Sequence, residues 1–163
     1  MEKPHQAAPD TVVLPTFHPV PGLGVLPVNA FVIKAKEPVL VDTGLGEDRG
    51  KFMEALESIL DPRELKWIWL SHDDSDHTGS LREVLDAAPD ARLAVNFIGA
   101  SRMGADWPVP MDRVYFLNPG ESIDVGDRTL TAFRPPLYDA PGVNGIYDDK
   151  SKAFFSIDSF GAI

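Results

Sequence analysis

Cysteine is absent from the 163 residues. That excludes disulfides, thiolate zinc sites and a catalytic thiol, so any metal must be held by nitrogen and oxygen. The absence does not fix the compartment. Histidine is scarce, at four residues, and basic residues are outnumbered 15 to 25 by acidic ones. The resulting formal charge of -10 repels a phosphate backbone over most of the surface, which argues against nucleic acid as a partner. Long apolar runs are missing too: nothing approaches the length of a bilayer span, and Met1 to Gln6 lacks the basic start and apolar stretch of a signal peptide. A soluble, cytoplasmic protein without a membrane partner is the expectation. Hydrophobic residues make up 44% of the chain, enough for a sizeable core in one domain.

Residues 1–10 are polar and proline-bearing and read as a loosely held start, with a single domain over 11–163. After the apolar run Thr11 to Val20 and the Pro21-Gly22-Leu23-Gly24 punctuation, Asn29 to Lys34 and Pro38 to Asp42 form a hairpin pattern. Phe52, Leu56, Ile59 and Leu60 recur at helical spacing over Lys51 to Leu60, which predicts an amphipathic helix. Lys66 to Ser71 is short, apolar and continuous, the mark of a strand buried on both faces and fed by a crossover helix. A second helix is expected over Gly79 to Ala87, a strand over Ala91 to Val95 and a short helix over Gly99 to Asp106. From Arg113 onward the pattern changes to short strands, Val114 to Leu117, Ser122 to Val125, Thr129 to Phe133 and Ala153 to Ile157, with a proline-rich loop over Arg134 to Gly142. A mixed sheet feeding an antiparallel one follows.

The strand over Lys66 to Ser71 runs straight into His72-Asp73-Asp74-Ser75-Asp76-His77, which brings two of the four histidines and three carboxylates to its carboxyl end. Alternate residues of an extended loop project to one side, so His72, Asp74 and Asp76 can converge while His77 turns across the gap. Imidazole and carboxylate suit zinc, iron or manganese, and an excess of hard carboxylates shifts the preference toward the latter two. The competing reading is a polar turn in which Asp76 or Thr78 caps the following helix; it leaves the histidines without a role. Asp42, ending its strand, either orients the histidine loop or simply forms a turn. Trp67, Trp69 and Trp107 read as core or pocket wall, and Tyr138 and Tyr147 as loop residues that could face a bound molecule.

Ser71 to His77 resembles the HxHxDH signature of the metallo-β-lactamase superfamily, preceded by its apolar strand and by the Asp42-Thr43-Gly44 turn. The resemblance is sharpest to the flavodiiron branch and its oxygen-binding relatives, which carry a carboxylate as the second ligand of that signature. It also takes in Asn29-Ala30-Phe31, Leu60-Asp61-Pro62, Gly79-Ser80-Leu81 and Phe155-Ser156-Ile157-Asp158-Ser159-Phe160-Gly161. It implies an α+β fold of the αββα sandwich type, here ending after its first half, so that another chain or copy would cover the open face if Ile163 is the terminus, as in a homo-oligomer. It further implies two metal ions, iron by preference with zinc or manganese possible; unlike the branch, this chain is expected to carry no flavin domain. Asp158 would be the carboxylate bridging both ions, or else an acid at a strand end. Asp139 falls where the family places a third histidine; it is either a carboxylate ligand or a solvated loop residue. One ion would take His72, Asp74, Asp139 and Asp158, the other Asp76, His77 and Asp158.

Three functions remain open on these residues. The branch implies binding or reduction of dioxygen or nitric oxide at a diiron site, with electrons from a separate redox partner. A dinuclear hydrolase would use a metal-bound hydroxide on a small-molecule substrate, and would be expected to carry histidine at Asp74 and Asp139. A degenerate member would hold partial metal, or none, and catalyse nothing.

Overall fold

The structure, a computed structural model, describes residues 1–137 and 140–159. Seven strands form the first sheet: β1 (His5–Ala8), β2 (Thr11–Val20), β3 (Gly24–Ile33), β4 (Val39–Val41), β5 (Trp67–Trp69), β6 (Arg92–Val95) and β7 (Val114–Phe116). They lie side by side in chain order, antiparallel from β1 to β4 and parallel from β4 to β7. The parallel joins need crossovers, and these are supplied by α1 (Arg49–Glu57), α2 (Leu81–Ala87) and α3 (Phe97–Asp106). Because every crossover steps the same way along the sheet, the right-handed rule puts all three helices on one face.

β8 (Ser122–Asp124), β9 (Thr129–Phe133), β10 (Gly145–Asp148) and β11 (Phe154–Phe155) form a second, antiparallel sheet in the order β11-β10-β9-β8. Two apolar layers result. Leu40, Ile68 and Leu93 pack with Phe52, Leu56, Leu81, Val84 and Met103 beneath the helices. Val41, Trp67 and Trp69 pack with Ile123, Leu130, Ala132, Ile146 and Phe155 between the sheets. The period of two along β5 thus sends Trp67 and Trp69 to one layer and Ile68 and Leu70 to the other, and Trp67 and Trp69 are core. The fold is α+β, layered helix, sheet, sheet.

One expectation is corrected and one strand is added. The opening residues are not loosely held throughout: β1 pairs with β2 in the first sheet, His5 opposite Val13. Its side chains are mostly exposed, so the strand is held by backbone pairing and leaves no apolar alternation in the sequence. β10, a stretch to which the sequence assigned no element, is an inner strand of the second sheet, with Ile146 opposite Ala132 on one side and Phe155 on the other.

Candidate metal centre

The parallel arrangement brings the ends of β4, β5 and β6 to one edge, the usual place for a site in parallel sheets. Asp42, immediately after β4, adopts a left-handed backbone (φ 58°), and its amide donates to Trp69 O at 2.9 Å. This conformation is uncommon but accessible to aspartate. It turns the carboxylate under the loop that leaves β5. There Asp42 Oδ1 accepts the Ser71 amide at 2.8 Å, and Oδ2 accepts the Ser71 hydroxyl at 2.7 Å. His77 Nδ1 lies 2.9 Å from the same Oδ2, and the Ser71 hydroxyl lies 3.2 Å from His72 Nδ1 and 3.3 Å from His77 Nδ1.

The loop is fixed from its other side as well. Asp74 O accepts the amides of His77 and Thr78, at 3.0 and 3.1 Å, closing a turn, and Thr43 donates to His77 O from both its amide and its hydroxyl at 2.8 Å. The capping alternative is not what the loop does: the residue before α2 is Ser80, without a side-chain cap, and the Thr78 hydroxyl donates back to Asp74 O. Gly79 passes so close to Leu45 and Gly46 that a side chain there would overlap their backbone.

With both Nδ1 atoms engaged below, both Nε2 atoms face one carboxylate. His72 Nε2 is 3.3 Å from Asp158 Oδ2, and His77 Nε2 is 3.4 Å from Asp158 Oδ1. Each imidazole has a second acid beside it: Asp74 Oδ2 is 3.5 Å from His72 Nε2, and Asp76 Oδ2 is 3.5 Å from His77 Nε2. The two rings are 4.1 Å apart between centroids. His72, His77 and Asp158 each offer a ligand atom within 4.8 Å of the others. Five of the residues singled out from the sequence therefore converge. Asp139 and Tyr138 lie outside the described residues. His18 pairs instead with Glu47 at 3.2 Å on the surface, and His5 lies exposed on β1. Asp73, between the ligand candidates in sequence, points away and pairs with Arg102 Nε at 3.0 Å.

The electrostatics call for cationic charge. Burial alone would push the His77 pKa down, but the charge of Asp42 and the contacts with Asp158 and Asp76 outweigh it and push it up to about 11. His72 is raised as well, burial being overcome chiefly by Asp158. Asp158 is held far below the usual carboxylate range by His72 and then His77. A direct test of fit is His72 Nε2: it is buried, it has no hydrogen-bond partner, and its contact with Asp158 is out of line for one. Nitrogen and oxygen donors 3.3–3.5 Å apart leave room for an ion about 2.0–2.2 Å from each. The residues present fit a metal: among the described residues His72, His77 and Asp158 can offer their ligand atoms to one ion.

Ser71 was not recognised from the sequence, although a hydroxyl directly before a histidine at a strand end was the available signal. Beside the cluster lies a cavity of about 680 Å³ whose lining joins Asp74, Asp76, His77 and Asp158 to Leu26, Phe31, Val41, Ile146 and Phe155.

Residues 23–162 match the family model of the metallo-beta-lactamase superfamily. The chain is 25% identical over 138 residues to the rubredoxin-oxygen oxidoreductase of Megalodesulfovibrio gigas, a match covering 82% of this chain and 33% of that protein. It is 29% identical over 137 residues to the type A flavoprotein fprA of Rhodobacter capsulatus, covering 82% and 32%. The chain thus spans about a third of the length of these relatives. Among solved structures, rubredoxin oxygen:oxidoreductase from Desulfovibrio gigas superposes with a TM-score of 0.82 at 18% identity, over 93% of this chain and 40% of that one. The flavodiiron protein from Giardia intestinalis superposes with a TM-score of 0.86 at 16% identity, over 98% and 41%. At these identities the structural likeness concerns the fold.

Proposed function

The chain belongs to the metallo-β-lactamase superfamily, and from that premise we propose that it binds two metal ions, iron by preference, in a carboxylate-rich site serving chemistry on dioxygen or nitric oxide. The observation that carries the reading is the placement of Asp158. Its two oxygens each face a different imidazole, and each imidazole has its own aspartate alongside. His72 and Asp74 would hold one ion, Asp76 and His77 the other, and Asp158 both.

The donor set supports iron over zinc. Asp74, Asp76 and Asp158 bring three negative charges toward the four of two divalent ions, and Asp42 adds a fourth just behind the histidines. Such a surround leaves little net charge to acidify a bound water for hydrolysis, whereas anionic oxygen donors favour the higher oxidation state of iron. Bound iron would supply reversible one-electron chemistry. The protein's own part would be to aim each Nε2 at the site, to share Asp158 between the ions and to border the site with apolar wall, including Phe31, Val41 and Phe155. Electrons would come from a redox partner protein. Among the described residues no helix is long and apolar enough to cross a membrane.

The test is metal analysis of the purified chain with absorption spectra taken reduced without air and again after oxygen. Two irons per chain and an oxygen-dependent absorbance change are expected, with most of the metal lost in His72→Ala and His77→Ala. Two zincs with esterase activity would replace this reading by a hydrolase. Unchanged metal content in both variants would overturn the site itself.

A further inference from the structure

We propose that Ser71 is a positioning residue that extends one carboxylate, Asp42, to both imidazoles, so that the half of the site containing His72 depends on a hydroxyl that the other half can spare. The inference rests on the two-metal reading above. Asp42 Oδ2 reaches His77 Nδ1 directly at 2.9 Å, whereas no carboxylate of the described residues is hydrogen-bonded to His72 Nδ1. Among the described residues the only partner of that nitrogen is the Ser71 hydroxyl at 3.2 Å. A hydroxyl has one proton to donate and two lone pairs to accept with. Ser71 spends its proton on Asp42 Oδ2 at 2.7 Å, so toward His72 it is an acceptor, which requires the proton of that ring to sit on Nδ1. Nε2, buried and without a hydrogen-bond partner, is then the nitrogen left bare for an ion. Asp42 is locked for this duty by the Ser71 amide on its other oxygen and by its left-handed backbone. Outer partners that fix a ligating histidine's tautomer and aim are worth about 10–100-fold in metal affinity.

The two imidazoles therefore respond differently to loss of the hydroxyl. Ser71→Ala removes the partner of His72 and leaves the Asp42 to His77 contact and the Ser71 amide bond in place. Cobalt(II) titration of the chelator-treated chain, followed by its visible bands, reads this out. The unaltered chain is expected to take up two equivalents; in Ser71→Ala one is kept at the original affinity and the other is weakened about 10–100-fold. Ser71→Thr, which keeps the hydroxyl, is expected to restore the second. Two equivalents at the original affinity in Ser71→Ala, or equal weakening of both, overturns the inference and leaves the two-metal reading standing. Failure of the unaltered chain to bind two equivalents overturns the two-metal reading. Should Ser71→Ala not fold, proton NMR of the zinc-loaded, unaltered chain decides: a slowly exchanging Nδ1–H on His72 supports the inference, and a His72 that is bound through Nδ1 or exchanges at once refutes it.

Discussion

Arg128 is the perturbation that tests how Asp158 is brought to the histidines. Its side chain has no exposed surface, nor has that of Asp148, to which Nη1 donates at 3.1 Å. Nη2 also reaches Asp10 at 2.9 Å and Asp127 at 3.0 Å. One guanidinium thus ties the β1–β2 turn of the first sheet to the β8–β9 turn and the end of β10 in the second, and β10 pairs with β11, from which Asp158 follows. Replacing it by methionine keeps volume and leaves Asp148 ionised, buried and without its counter-charge. Breaking a buried pair from one side costs about 3–5 kcal/mol. The lower end applies here, because the Ser151 hydroxyl and the amides of Lys150 and Ser151 still donate to Asp148. Asp10 and Asp127 are partly exposed and have Lys150 nearby, so they add little.

A loss of about 3 kcal/mol corresponds to a urea midpoint lower by about 1.5 M at a slope of about 2 kcal/mol per molar. Adding Asp148→Asn to Arg128→Met is expected to return part of it, since the uncompensated charge goes. The sign with pH is fixed as well. Asp148 sits below its ordinary value of 3.8 despite burial, through the hydrogen bonds from Ser151, Lys150 and Arg128. The stability it contributes is therefore present above 3.8 and lost as pH falls through the lower folded value. The gap between the unaltered chain and Arg128→Met should accordingly be full at neutral pH and close in strong acid. A loss under about 1 kcal/mol at pH 7, or no recovery on adding Asp148→Asn, would refute the reasoning.

Two further outcomes separate support of the metal loop from its chemistry. Gly79→Ala is expected to lower the thermal midpoint by more than any exposed substitution, because its methyl overlaps backbone of Leu45 and Gly46 and neither can swing aside as a side chain would. Thr43→Val removes one of two donors to His77 O and should cost about 1 kcal/mol in urea unfolding while metal content stays at two per chain.

The fold was legible where pattern and packing coincide. Continuous apolar character marked β5 as buried on both faces, and Phe52 and Leu56 marked the inward side of α1. β1 and β10 escaped for opposite reasons: one has no buried side chains to produce a period, and the other is a four-residue strand whose order comes from neighbours distant in sequence. In the site, the histidines and their aspartates were legible because adjacent residues carry them. Asp158 was reached only by resemblance, since nothing local ties a residue after β11 to a loop after β5. The role of Ser71 could not be read, because it depends on the backbone turn that sets Asp42 beneath it.

The two walls of the site are built to different standards. The histidine wall rests on consecutive parallel strands, is bonded to Asp42 and Thr43, and is pinned at Gly79 against Leu45 and Gly46. Asp158 lies in the turn that follows the two-residue strand β11 and is half exposed. The residue before it, Ile157, holds a left-handed backbone (φ 56°), a costly conformation for a β-branched side chain. What keeps it there is a clasp: the Ser156 hydroxyl donates to Ser159 O at 2.9 Å, and the Ser159 hydroxyl donates to Leu137 O while accepting the Leu137 amide. The histidines therefore form a seat that is set before an ion arrives. The carboxylate that both ions would share under the two-metal reading stands against that seat on a turn whose strain, at Ile157, is held by the serine clasp.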